Sequence, residues 1–400
     1  MRTRTAVAVL VVMLALGGVA AYGLTQGPSG SLSTEWVSDT SRANEVNHHP
    51  LAVGTLDGEP LVVAPVSSVA GPDAKCSFVA FDATGATRWT HDVDESACAI
   101  HGIGDVELAD ATGDGTVDVL APTTEEVLYA LDARDGSVTW TANLTAYGYA
   151  GPTVLTDPER VVVQPDTAGV VFGFDENGST LWRHDLDEYV SADTRSVTLG
   201  DGRRGVAVGS SGHVTVFDAN GTVVWQDAAR ATWLETAEID GERSLVASGG
   251  SSVTVFSVNG TERWERDGFK RPALHDVVDG DGDGVKELYL GSGGDTVAAL
   301  NARTGETEWE TTLSTDANIL PAPVVGDLDG DGETEVVAAT NDGVVHVLDA
   351  ESGEVMASSE RDVSVWVHPT LADLDGDGQD EILVMYGDGR VVALSYEGDR

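Results

Sequence analysis

Lysine is nearly absent. It occurs only at Lys75, Lys270 and Lys286 in 400 residues. Lysine and arginine together number 22 against 67 acids, a formal net charge of −45. A surface of that sign argues against binding nucleic acid or an anionic lipid face. Cysteine is scarce as well, with only Cys76 and Cys98. Several chemistry-bearing patterns are missing: Gly-x-Ser-x-Gly, His-Glu-x-x-His, a phosphate loop and Cys-x-x-Cys. Apolar residues are not scarce. At 41% they suffice for a core, so this is not an acidic disordered tail.

The one long apolar run is at the start. Arg2 and Arg4 precede Ala6 to Leu24. Nineteen helical residues would span roughly 28 Å, about one hydrocarbon core. Two readings stand. One is a cleaved secretory signal, with small residues at Gly18 and Ala20 near a cut. The other is an uncleaved anchor with its basic end in the cytoplasm, which the length favours. Both place the body outside the membrane, secreted or anchored on the extracellular face, and leave this helix as the only membrane contact. Residues 25–32 read as a flexible stalk. Cys76 and Cys98 suit an exported chain. Paired, they would close a loop worth about 3 kcal/mol; the other reading is two unpaired small core residues.

The rest repeats. Residues 271–309 show the unit: an apolar run, an acidic glycine loop, two short alternating segments, then a turn followed by a tryptophan. That is four short strands in about forty residues, the content of one propeller blade. The turn glycines are Gly85, Gly136, Gly178, Gly221, Gly260, Gly305, Gly353 and Gly398, spaced 39 to 51 residues apart. Six of them precede a tryptophan by four residues: Trp89, Trp140, Trp182, Trp225, Trp264 and Trp309. A large flat side chain recurring there is expected to cover the gap between adjacent blades. The last unit stops after its third strand. Residues 33–38, which contain Trp36, are expected to supply its missing outer strand and close the ring, removing an exposed edge. The prediction is all-β: one N-terminal hydrophobic helix (1–24), a stalk (25–32), and an eight-bladed propeller of four-stranded antiparallel blades (33–400).

Segments such as Ala130-Leu-Asp132-Ala-Arg-Asp-Gly136-Ser-Val-Thr-Trp140 and Val347-Leu-Asp349-Ala-Glu-Ser-Gly353 resemble the tryptophan-docking repeat of the quinoprotein, or PQQ-like, propeller family. The acidic loops resemble FG-GAP or VCBS-type calcium repeats. The resemblance spans residues 33–400 and implies the eight-bladed ring. It implies little about task, because this fold hosts dehydrogenases, assembly scaffolds and sugar-processing enzymes. Quinoprotein dehydrogenases of the family commonly carry adjacent cysteines beside the quinone. Cys76 and Cys98 are not adjacent, which counts against PQQ as a cofactor. The acidic, lysine-poor balance resembles that of exported proteins from haloarchaea, where molar salt shortens the Debye length to ~3 Å and silences self-repulsion.

Three loops share the pattern Asp-x-Asp-Gly-Asp-Gly-x-x-Glu: Asp279, Asp281, Asp283 and Glu287; Asp327, Asp329, Asp331 and Glu335; Asp373, Asp375, Asp377 and Glu381. Alternate carboxylates converge when the chain curls. The acid at position 9 opens the next strand and closes the shell. An all-oxygen set of this kind suits Ca²⁺. Two carboxylates 4 Å apart repel by about 4 kcal/mol at an effective dielectric of 20, so four in one loop call for a counter-ion. A degenerate fourth loop holds Asp110, Asp114 and Asp118. The expected role of the ions is structural.

Four sequons (at Asn143, Asn177, Asn220 and Asn259) admit glycosylation, but Asn-Gly is also a favoured hairpin turn. Large polar and aromatic groups precede the first strand of several repeats: His48, His49, His101, Tyr149, Tyr189, Trp233, His275, Trp366 and His368. They share no common offset, so a mixed loop surface at one channel mouth is expected, offered to a protein or glycan ligand. The expected protein is a monomeric, non-catalytic binding or assembly scaffold. The alternative is an enzyme on the same ring, either a quinone-dependent dehydrogenase or a polysaccharide lyase or hydrolase.

Overall fold

The computed structural model describes residues 30–68, 74–94, 98, 102–156, 160–192, 194–313 and 316–398. The N-terminal apolar run and residues 25–29 of the expected stalk lie outside them. Among the described residues there is no helix, and thus none long and apolar enough to cross a membrane.

Thirty-two strands form eight antiparallel sheets of four. Seven sheets are sequential meanders, the first spanning Ala52–Asp92 and the seventh Val324–Glu360. The eighth is composite. Thr370–Ala372, Glu381–Met385 and Val391–Gly398 come from the C-terminus, and the outer strand is Gly30–Val37. Its pairing runs from Gly30 opposite Gly398 to Val37 opposite Val392. The strand therefore starts three residues inside the segment expected to be a stalk. The reason is that Gly398, Glu397 and Tyr396 still offer partners there.

Each sheet is buried on both faces in its two central strands. The pattern is a continuous apolar run, as in Leu61–Val66 or Val336–Ala339. The apolar clusters join side chains of adjacent blades, so the core is a set of inter-blade seams. One contains residues of the first and last blades together, among them Val62, Phe81, Leu383 and Ala393.

The tryptophans fix the outer ends of these seams. In each full hairpin, the outer strand bulges by one residue just before the tryptophan, as between Ala80 and Phe81 opposite Trp89. The Gly30–Val37 strand carries the same bulge between Thr34 and Trp36. The indole then lies over the turn glycine of the next blade. Gly85, Gly136, Gly178, Gly221, Gly260, Gly305 and Gly353 sit beneath Trp36, Trp89, Trp140, Trp182, Trp225, Trp264 and Trp309, and a Cβ at any of them would strike the ring. Except at Trp140, whose N–H finds no partner, the indole N–H donates to the carbonyl after the turn's first residue. Examples are Trp36 to Ala83 at 3.0 Å, Trp225 to Val258 at 2.9 Å and Trp309 to Ala350 at 2.8 Å. At ~25 cal/mol/Å², burying the ~150–250 Å² of an indole contributes at most several kcal/mol per junction.

This rule explains the one missing tryptophan. The seventh blade has Ala357 at the bulge. Its tryptophan would need the hairpin turn between the third and outer strands of blade eight. That sheet has no such turn, because its outer strand arrives from the other end of the chain.

Candidate metal centre

The four acidic loops join the first and second strands of blades two, six, seven and eight. Their frame is common. The first aspartate accepts the N–H of the glycine at position 6: Gly284 to Asp279 at 3.0 Å, Gly332 to Asp327 at 3.1 Å, Gly378 to Asp373 at 3.0 Å and Gly115 to Asp110 at 3.2 Å. Those glycines have φ between +84° and +90°, where a side chain would be strained. The third acid accepts the N–H two residues on, as Val285 to Asp283 at 2.7 Å. The acid at position 9 reaches back to the N–H at position 2: Gly280 to Glu287 at 2.9 Å, Leu328 to Glu335 at 2.8 Å and Leu374 to Glu381 at 2.8 Å.

This curl brings carboxylates together. Oxygens of Asp279, Asp281 and Glu287 lie within 4.8 Å of one another; so do those of Asp327, Asp329 and Glu335, and those of Asp373, Asp375 and Asp377. Asp283, Asp331 and Glu381 belong to the same loops but stand outside these tightest groupings. Each cluster could bind a metal ion.

The glutamates are the informative members. Glu287 is 1% exposed and Glu335 5%. Burial, followed by the charges of the neighbouring aspartates, pushes Glu287, Glu335 and Glu381 up to about 7. Oε2 of Glu287 accepts the Gly280 N–H, but Oε1 is buried with no hydrogen-bond partner. A buried carboxylate oxygen left so is expensive unless a cation meets it. The donor set is oxygen only, which fits a hard divalent ion.

The fourth loop differs from the other three. Asp110, Asp114 and Asp118 are not brought to one point. Thr112 replaces the second aspartate, and Asp118 is satisfied from within. Its Oδ2 accepts the N–H groups of Ala111 at 3.0 Å and Thr112 at 2.9 Å and the Thr112 hydroxyl at 3.0 Å. Arg160 of the next blade donates to Asp110 Oδ2 at 3.1 Å and to its carbonyl at 2.9 Å. A guanidinium thus supplies the positive charge.

The three remaining clusters form a string on consecutive blades. The Thr334 hydroxyl donates to the Gly280 carbonyl at 2.7 Å, and the Asp380 N–H to the Asp327 carbonyl at 3.0 Å. Both contacts run between neighbouring loops, so the clusters are mechanically joined. Asp380, which the repeat pattern did not single out, adds an acid between the second and third clusters. Burial, then the charges of Asp373 and Asp327, raises its pKa. Only its position before Glu381 hinted at this.

The mouth residues also gather. His48, Tyr149, Trp233, Trp366 and His368 line one cavity. His275 and His368 line an adjoining one. His49 packs against Tyr149 at 4.7 Å and meets Asp105 at 2.6 Å. Tyr189 is exposed and lines neither cavity; His101 lies outside the described residues. A mixed loop surface at one mouth was the expectation; which of its residues share a cavity is decided by the fold, because each blade delivers its loop at a different length. Cys76 and Cys98 are both buried and free, and burial followed by a hydrogen bond to Cys76 pushes the Cys98 thiol up.

The family model described as outer membrane protein assembly factor BamB matches residues 74–228, 167–318 and 249–400. The chain belongs to this PQQ-type repeat family. Among solved structures, BamB from Moraxella catarrhalis superposes with a TM-score of 0.64 at 20% identity, over 91% of this chain and 97% of that one. The computationally designed Ika8 protein gives 0.64 at 16%, over 93% and 100%. Quinohemoprotein alcohol dehydrogenase from Comamonas testosteroni gives 0.65 at 13%, over 91% and 76%. At these identities the PQQ-type repeat propeller shares their fold, and its chemistry is a separate question. A search of curated proteins finds no match.

Proposed function

We propose that this propeller is an exported, calcium-stabilised scaffold at the cell envelope that binds or assembles partners and does no chemistry of its own. Support for the scaffold reading comes from the family description, which names an assembly factor. Non-adjacent Cys76 and Cys98 weigh against the dehydrogenase alternative, and so does the lack of a hydrolase motif against the sugar-processing one. The export reading rests on the N-terminal apolar run and its flanking arginines.

One observation carries the ion assignment: the partnerless, buried Oε1 of Glu287 beside Asp279 and Asp281. Calcium is favoured over magnesium because a curled loop of carboxylates and carbonyls offers many ligands at loose distances. The ions would pin the first hairpin of blades six to eight, next to the seam where the two chain ends meet. Hydrogen exchange in chelator tests this. Loosening of residues 270–398 before the other blades is expected; uniform loosening would refute it. Capture of partners from native membranes at high salt, alongside absorbance titration with the quinone and assay on acidic sugars, separates scaffold from enzyme.

A further inference from the structure

Nine tryptophans occur in the chain, and seven are accounted for by inter-blade docking. The two left over, Trp233 and Trp366, come from blade five and from the connection into blade eight, yet they line the same cavity at the channel mouth. We propose that this cavity binds a compact organic cation, an alkylated ammonium group, and that the two tryptophans are its walls. This goes beyond the scaffold reading and does not depend on it.

The cavity is about 110 Å³. That is of the order of the ~150 Å³ that accepts a benzene ring in an engineered apolar cavity, so it suits one compact head group. Its aromatic lining is Trp233, Trp366, Tyr149, His48 and His368, and its one carboxylate is Asp105, one of whose oxygens meets Nδ1 of His49 at 2.6 Å. No Lys or Arg lines it among the described residues. The rings are held in place. Trp233 meets His368 edge-on at 6.1 Å, and His48 lies 6.0 Å from Tyr149. Trp366, 36% exposed, donates its indole N–H to the Ser364 hydroxyl at 2.9 Å.

The edges of these rings are largely tied back to the protein. Nδ1 of His48 bonds the Val46 carbonyl at 2.6 Å, and Nδ1 of His368 the Pro369 carbonyl at 2.8 Å. The lining also carries the hydroxyls of Ser191 and Thr232, the latter donating to the Ser248 carbonyl at 3.2 Å, but five of its ten residues are aromatic rings. A sugar needs partners around its hydroxyls. An alkylated ammonium needs only negative ring faces and a nearby carboxylate. A metal cation holds its water too tightly to exchange it for ring faces. Adjoining it is a second cavity of about 430 Å³ that shares Asp105 and His368. Its acids Glu107 and Glu235 outnumber its single arginine, Arg195, which is itself paired with Glu235 at 3.1 Å. The field around the site thus has the sign that draws in cations, as does the net charge of −45. Contact with ring faces acts at short range and survives salt that screens the long-range part.

The test uses the full chain in molar potassium chloride and two probes of one shape. Choline carries the charge, and 3,3-dimethylbutan-1-ol is its neutral carbon isostere. Binding is read by titration calorimetry. Choline is expected to bind at least tenfold more tightly than the isostere, and Trp366→Leu to lose at least tenfold without lowering the melting temperature; Trp233→Leu, whose ring also packs on the core, is expected to lose at least as much. Trp366 is exposed enough that its replacement leaves the fold intact. Equal binding of both probes would make the cavity merely apolar and overturn the proposal. So would failure of choline to bind, a hexose binding where choline does not, or unchanged affinity in Trp366→Leu.

Discussion

Removing calcium should reverse the way stability depends on pH. In the ion-free protein, Glu287, Glu335 and Glu381 have pKa values of about 7 against 4.5 when exposed. The folded state then holds these protons more tightly than the unfolded state. Stability from this source is fully present below pH 4.5 and is lost as pH rises to about 7. For buried Glu287 and Glu335 the loss is about 3 kcal/mol each, and for the less buried Glu381 it is smaller. At very roughly 1–2 °C per kcal/mol for a ring of this size, the melting temperature in chelator should fall by about 5–10 °C between pH 5 and 7.5. With a bound divalent ion the sign changes. The ion holds the carboxylates ionised, so stability should be lost as pH falls instead, since protons displace the ion. Thermal unfolding at fixed molar salt, with chelator and with millimolar Ca²⁺, reads both slopes. Glu287→Gln should flatten the chelator slope by about a third. Parallel slopes in the two conditions would show that these loops hold no ion, and the reasoning would fail.

Calcium titration by calorimetry should count three sites, because Arg160 already neutralises Asp110 in the fourth loop; a fourth site would contradict the role given to that guanidinium. Trp89→Phe should cost about 1 kcal/mol more than Trp140→Phe in denaturant unfolding. The first strands the buried Ala133 carbonyl, whereas the Trp140 N–H has no partner to lose. Gly136→Val should destabilise by several kcal/mol, since it adds a Cβ where the Trp89 indole lies and φ is +71°. Deleting residues 30–38 should leave the Val391–Gly398 edge unpaired, and light scattering should report aggregation.

Much of the ring was legible because each blade is a local unit. An Asp-x-x-x-Gly turn and a tryptophan four residues on are set by backbone conformations within one hairpin, so they leave a mark in the chain at regular intervals. The eight blades and the four-strand content follow from that mark. So did three of the acid clusters, because their curl is made by hydrogen bonds between residues at most seven apart. The charge beside the fourth loop was not legible in this way, because Arg160 stands 50 residues away.

What the chain order could not show is which residues meet across blades. The indole resting on the next blade's glycine, Ala357 standing where no turn awaits a tryptophan, and the gathering of Trp233 with Trp366 all join residues dozens to hundreds of positions apart. Local patterns specify a hairpin because only a few dihedrals and nearby hydrogen bonds are involved. Seams and the axial cavity appear only once eight hairpins share a common axis, and no short stretch of sequence encodes that axis.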